Sequence, residues 1–413
     1  MTRSGVSRAL LLASVFAGAP LAAADAATET VVYAFQNNGK DGFYPDATVT
    51  MLNGALYGTT SAGGTGRCEN GCGTVFSVNA TTGAETILHS FSDVEQTAVQ
   101  PGSLAVVAGK LFGTTFSGGR RDAGMLFSFD PKSGAFKQQY YFCNLDNCID
   151  GENANPGLLD EKGVLYGTTA AGGSTDCGNG CGTVFSFDTA TRSETILHAF
   201  GPNGNDGSSP QSGLVGTKRK LYGTTEFGGA FGYGTVFSID RIGGRESIVY
   251  SFCSQQGCSD GERPTGNLVY LNRMLYGTAI NGGAEDVGTV FSLDPATGAE
   301  TVLHAFEGST DADGAYPGGL VYLNGLLYGT TQNGGVNCDG GCGTVYSIDP
   351  QTGAETVIYS FCNQTDCADG AVPKSGLLNV DGTLYGVTAY GGGGGCTTQY
   401  EPSGCGTVFA ITP

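Results

Sequence analysis

The chain has no tryptophan, three histidines and only four methionines among 413 residues. Charge is scarce as well, at 14% of residues, and what there is leans one way: 19 Lys and Arg against 38 Asp and Glu, a net charge of −19. Such a field repels phosphate, which excludes nucleic acid and anionic membrane surfaces as partners. Lacking tryptophan, the chain lacks the commonest platform for stacking a sugar, although tyrosine can serve. Beyond the N-terminus no run approaches about 18 consecutive apolar residues, so no transmembrane segment is expected after signal cleavage. There is no Gly-Lys-Ser/Thr phosphate loop, no His-Glu-x-x-His and no nucleophile elbow.

What is abundant is glycine, with 71 residues that follow no strict three-residue period, so a collagen helix is excluded. With 22 Phe and 19 Tyr the chain is too apolar to stay disordered. Residues 1–26 read as a signal peptide. Arg3 and Arg8 form a basic start, Ala9 to Ala17 a short apolar stretch, and Ala24-Asp25-Ala26 a cleavage box. The expected location is secreted or periplasmic.

The phrase LYGTT and its variants place glycines at 58, 113, 167, 223, 277, 329 and 386, in steps of 52 to 57 residues. Seven repeats of about 55 residues fill residues 27–413, which leaves no room for a second domain. Each repeat holds four strand-like runs. In the sixth these are Gly319–Leu323 (A), Leu326–Thr331 (B), Gly343–Ile348 (C) and Glu355–Phe361 (D), divided by Asn-Gly and Thr-Gly turns. Four short strands per unit predict an all-β, seven-bladed β-propeller with four-stranded blades. The first run, Glu29–Phe35, is a D strand without a C, and the last, Gly406–Ile411, a C strand without a D. The N-terminal strand is therefore expected to complete the last blade and close the ring.

The 14 cysteines form seven local pairs. Cys143/Cys148, Cys253/Cys258 and Cys362/Cys367 follow strand D. Cys68/Cys72, Cys177/Cys181, Cys338/Cys342 and Cys396/Cys405 lie between B and C. Export favours disulfides over metal ligation, and no histidine accompanies the pairs. With A innermost, the D–A and B–C loops share one face, so all seven pairs cluster there. Elaborated loops on a rigid scaffold make that face the functional candidate.

His89, His198 and His304 occupy one position of strand D, where the other repeats have Tyr33, Tyr140, Tyr250 and Tyr359. Seven equivalent positions point to packing or an inter-blade hydrogen bond rather than catalysis. The D–A loops carry Asp-Gly at Asp41, Asp150, Asp206, Asp260, Asp313 and Asp369. These fit turns whose Asp caps its own backbone, or alternatively a ring of carboxylates that holds a polar ligand or calcium. The sequence Asp311-Ala312-Asp313-Gly314 starts like a calcium loop but lacks the distal Glu. No metal site and no cofactor are assigned. Breaks in the repeat symmetry are the places to look for a ligand: Arg120-Arg121-Asp122, Glu226 and Glu285-Asp286. The arginine pair could fork to a carboxylate such as a uronic acid.

The phrase LYGTT…GG…GTVFS-x-D…TG-x-ET-x-L-H/Y-S/A-F resembles the GloVer tandem repeat of exported bacterial proteins. The resemblance runs from about Glu29 to Ile411. It implies a secreted or surface-displayed repeat protein and carries no activity with it. Members typically end in an anchoring signal, whereas this chain stops at Pro413 straight after a strand, so a periplasmic or released monomer is expected. Near-equal repeats favour a non-catalytic binding module for a glycan or an envelope protein. The rivals are a polysaccharide lyase or hydrolase on the same ring, and a purely structural surface protein.

Overall fold

The computed structural model describes residues 27–413 apart from 69, 93–99, 178–179, 203–205, 309–312, 339–340 and 398–401. Residues 1–26, read as a signal peptide, and two residues of the calcium-like stretch, 311 and 312, fall outside it. Seven antiparallel blades form the β-propeller that the repeats predict. In the sixth blade, Val321–Leu323, Leu326–Asn333, Thr344–Ile348 and Glu355–Ser360 run from the axis outward. The ring closes as expected: Thr28–Ala34 pairs antiparallel with Thr407–Thr412, with Glu29 opposite Ile411 and Val31 opposite Phe409. The N-terminal strand is thus the outer strand of blade 7, and the last blade has no unpaired C strand.

The inner strand differs from its expected single run. In blade 6 it is two pieces that pair with opposite halves of the same B strand. Ala315–Pro317 meets Asn333 and Thr331, while Val321–Leu323 meets Tyr328 to Leu326. Pro317 has no N–H to donate, and Gly318-Gly319 follows it, so the ladder breaks there. Blades 3, 4 and 5 carry the same break. Gly318 and Gly319, at the break in blade 6, face the space along the axis.

Two glycines of the repeat are required by contact. Gly277 of strand B lies directly opposite Phe291 of strand C, and a Cβ on it would sit 2.6 Å from the ring. Each blade repeats this pairing, which explains why LYG and GTVF travel together. Gly353, at φ +73°, turns the chain between C and D, and a Cβ there would fall 2.4 Å from the Leu303 carbonyl of the preceding blade.

Aromatic rings bind blade to blade. The Phe that ends each D strand meets the C-strand ring of the next blade edge to face, with centroids 5.0 to 5.5 Å apart. The pairs are Phe35–Phe76, Phe91–Phe127, Phe142–Phe185, Phe200–Phe237, Phe252–Phe291, Phe306–Tyr346 and Phe361–Phe409. All seven D-strand phenylalanines are buried. Such a contact contributes about 0.5–1.5 kcal/mol beyond area burial, once at every seam.

All 14 cysteines are paired as the local spacing suggests: Cys68–Cys72, Cys143–Cys148, Cys177–Cys181, Cys253–Cys258, Cys338–Cys342, Cys362–Cys367 and Cys396–Cys405. No helix among the described residues is long and apolar enough to cross a membrane.

Candidate functional site

The seam motif explains the histidines and the Asp-Gly loops together. Tyr140 Oη donates to Asp150 at 2.8 Å, Tyr250 Oη to Asp260 at 2.7 Å and Tyr359 Oη to Asp369 at 2.8 Å. At the alternate seams His198 Nε2 lies 3.4 Å from Asp206, and His304 Nε2 lies 3.2 Å from Asp313. The aspartates also accept loop N–H groups, as Asp150 does from Asn144 and Leu145 and Asp41 from Gln36. Asp41, Asp150, Asp260 and Asp369 are buried. This geometry matches the turn-capping account of the Asp-Gly loops.

A glutamate from the next blade's D strand completes each such seam. Burial pushes Glu29, Glu85, Glu194, Glu246, Glu300 and Glu355 up to about 7, and the facing aspartate adds to the rise in each. One oxygen of each of these carboxyls is buried without a hydrogen-bond partner. The remaining seam has Phe136 in place of the glutamate, and its ring stacks on His89 at 3.8 Å. His198, Asp206 and Glu246 bring three ligand atoms within 4.8 Å of one another, a set that could hold a metal ion. Alternate seams build the same arrangement with Tyr in the His position, which marks it as a structural unit of the ring.

The axis holds a channel of about 260 Å³ lined by every blade. Strand-B threonines latch its wall to the next blade: Thr114 Oγ1 donates to the Asn155 carbonyl, Thr168 to Ser212, Thr278 to Gly318 and Thr330 to Ser375. Blade 7 has Val387 at this position. Asp46 and Lys374 are the charged residues of the channel wall. Asp46 is exposed to the channel yet surrounded by protein, and this desolvation lifts its carboxyl to about 6 against the pull of Lys374.

On the cysteine-bearing face the channel widens into a trough of about 570 Å³ across blades 4, 5 and 6. Gln211, Glu226, Arg263, Asn281, Tyr316 and Gln332 converge there, with Thr265 and Ile280. Gln211, Thr265 and Gln332 line both spaces. Glu226 is buried, and Arg263 donates to its Oε1 through Nε at 2.9 Å and through Nη2. Gln211 donates to Glu226 Oε2 at 3.0 Å. The Arg263 guanidinium lies 5.5 Å over the ring of Phe227, which is 44% exposed. Phe231 and Tyr233 of the same B–C loop are exposed as well.

The residue before the inner-strand proline controls this rim. Tyr44, Ser209, Arg263, Tyr316 and Val372 precede Pro45, Pro210, Pro264, Pro317 and Pro373, and Asn153 stands at the same place in blade 3. All six have φ between 52° and 58°. Arg263 N–H bonds to the Tyr233 carbonyl at 2.9 Å, and Tyr316 N–H to the Val287 carbonyl at 2.8 Å. The left-handed backbone is thereby locked by the neighbouring blade at both positions. Of the trough residues, the search for charged breaks in symmetry identifies Glu226 alone. Aligning the pre-proline column would have revealed Arg263 and Tyr316.

The other symmetry breaks lie elsewhere. Arg120 and Arg121 are exposed and do not line the trough, and Arg121 Nη1 donates to the Leu145 carbonyl at 3.3 Å. Asp122 accepts from the Gly118 N–H at 2.7 Å, and Asp286 from the Gly282 N–H at 2.9 Å. These two B–C loops lack cysteines and are drawn together by an aspartate instead.

The model of the Gloeobacter/Verrucomicrobia repeat matches residues 21–180 and 177–400. The chain belongs to the Gloeobacter/Verrucomicrobia repeat family. In this member of the repeat family the recurrent phrase encodes the seams and strands, and the trough arises from positions the phrase leaves free.

Among solved structures, this repeat protein is similar to the extracellular domain of a hybrid two-component system from B. thetaiotaomicron, at 11% identity and a TM-score of 0.56. That match covers 92% of this chain and 40% of the other. An oligogalacturonate lyase from Vibrio parahaemolyticus matches at 8% identity and a TM-score of 0.54, over 93% of both chains. A prolyl endopeptidase matches at 14% identity and a TM-score of 0.50, and the chain spans 46% of its length. At these identities the likeness is one of fold. Comparison with curated proteins gives no match.

Proposed function

We propose that the protein is an exported, non-catalytic recognition module that binds carbohydrate at the trough across blades 4 to 6. One observation carries the reading. Planar hydrogen-bonding side chains (Gln211, Arg263, Asn281 and Gln332) converge beside the exposed ring of Phe227 in a locally rigid rim. Amide and guanidinium groups suit sugar hydroxyls, and an exposed ring suits the apolar face of a pyranose. Seven disulfides and the signal-like residues 1–26 support export.

The test incubates the mature, oxidised protein with a panel of soluble polysaccharides and follows binding and new chain ends in the same samples. Binding without new ends, weakened at least about tenfold by Phe227→Ala, is the expected result; tenfold corresponds to about 1.4 kcal/mol. New reducing or unsaturated ends would establish the rival reading, a lyase or hydrolase, whose fold precedent is the oligogalacturonate lyase. Absence of any saccharide binding would leave a protein partner or a purely structural surface role.

A further inference from the structure

We infer that the trough selects neutral saccharides and turns uronates away, because its one guanidinium is already held by a buried carboxylate. The inference rests on the carbohydrate reading and specifies its ligand class. Among the described residues, Arg263 is the only Lys or Arg that lines the trough. Its Nε and Nη2 both face Glu226 Oε1, and its Cζ lies 5.5 Å over the Phe227 ring. Glu226 in turn has its second oxygen satisfied by Gln211 and keeps only 12% of its side chain exposed. The pair is neutral as a unit and cannot swing apart without leaving a buried carboxylate unpaired, which is costly.

A ligand carboxylate entering here would meet only a guanidinium, 42% exposed and already neutralised by Glu226, and would stand beside that carboxylate. The field of a chain with net charge −19 would oppose it further. Among the described residues, the cation of the channel wall, Lys374, has Asp46 beside it and lies 5.4 Å over the Tyr390 ring. What the trough offers instead are neutral donors and acceptors from Gln211, Asn281, Tyr316 and Gln332. These match vicinal hydroxyls, which need paired donors and acceptors and carry no charge.

The inference concerns a different place from the sequence-based expectation, in which Arg120 and Arg121 could fork to a carboxylate such as a uronic acid. It also makes Glu226 the residue that sets charge preference. Replacing it by an isosteric amide should leave the trough's shape and free the guanidinium for a ligand carboxylate.

The experiment titrates the mature, oxidised protein with neutral and uronate oligosaccharides matched in length, at low and at physiological salt. Wild type should bind a neutral member at least about tenfold more tightly than any uronate. Glu226→Gln should raise uronate affinity at least about tenfold in a salt-sensitive manner, and Glu226→Gln with Arg263→Gln should abolish that gain. Wild-type preference for uronates, or no uronate gain in a folded Glu226→Gln protein, overturns the charge selection and leaves carbohydrate recognition standing. Failure of wild type to bind any saccharide overturns both. The wild-type ratio decides the matter even if the variants misfold.

Discussion

The six seam glutamates make stability a steep function of pH, and Glu300→Gln isolates one of them. Glu300 packs against the preceding blade, where Tyr250 Oη donates to Asp260 at 2.7 Å and reaches Glu300 Oε2 at 3.5 Å. Its other oxygen is buried without a partner. Desolvation, with the Asp260 charge second, raises the carboxyl from 4.5 to about 7, and the Tyr250 hydrogen bond offsets part of the rise. Between those two values the folded protein holds a proton that the unfolded chain has released. Stability is therefore fully present below about 4.5, falls as pH rises toward 7, and is level above it. Each such proton contributes a slope of up to about −1.4 kcal/mol per pH unit. Because the side chain is partly exposed, water screens the effect, and we take about 1 kcal/mol at this seam. A glutamine mimics the protonated acid and does not titrate. Urea unfolding of the variant should show a gain of about 1 kcal/mol at pH 8 that shrinks toward pH 5. A loss at pH 8, or the same change at both values, would refute the reasoning, since the carboxylate would then be stabilising as an ion.

Three further outcomes follow from the same geometry. A chelator should leave the Tm unchanged, because the Asp150 oxygens are occupied by Tyr140, Asn144 and Leu145; a fall in Tm under chelation would instead reveal a bound cation by linkage. Gly277→Ala should cost about 1–3 kcal/mol by driving a methyl group into the Phe291 ring, measured by denaturant unfolding. Replacing Cys143 and Cys148 together by Ser should cost at most about 2 kcal/mol, since the loop closed is short, and should leave ligand affinity at the trough unaltered.

The fold was legible because every repeat restates the same contacts. The GTVF and LYG phrases are two sides of one packing contact, and the terminal Phe of strand D meets the next blade's ring at all seven seams. The ring's closure was legible from the orphan D strand at Glu29 and the orphan C strand at Ile411, which pair with each other. The split inner strand was less so. Apolar alternation continues through Gly319–Leu323, and only the missing N–H of Pro317 with the glycines after it tells that the ladder stops and resumes. The coupling of Phe136 to the missing Asp-Gly loop could have been seen as well. Where blade 1 leads into blade 2 without an Asp-Gly, the partner glutamate is replaced, and an apolar ring covers His89.

The candidate site was harder to see for a reason that belongs to propellers. Glu226 lies near the end of a B strand in blade 4, Arg263 precedes the inner proline of blade 5, and Gln211 follows the inner proline of blade 4. No window of sequence contains all three, and each column looks ordinary within its own repeat. Charge counted along loops instead selects Arg120 and Arg121, which are exposed and away from the trough, Arg121 donating to the Leu145 carbonyl. The useful quantity is distance from the axis. Neighbouring blades converge only near it, so residues of three repeats can meet one ligand there and nowhere else. In such a ring, columns flanking the inner proline deserve comparison before any loop does, because a substitution there alters a shared wall, whereas a substitution in an outer loop alters one blade alone.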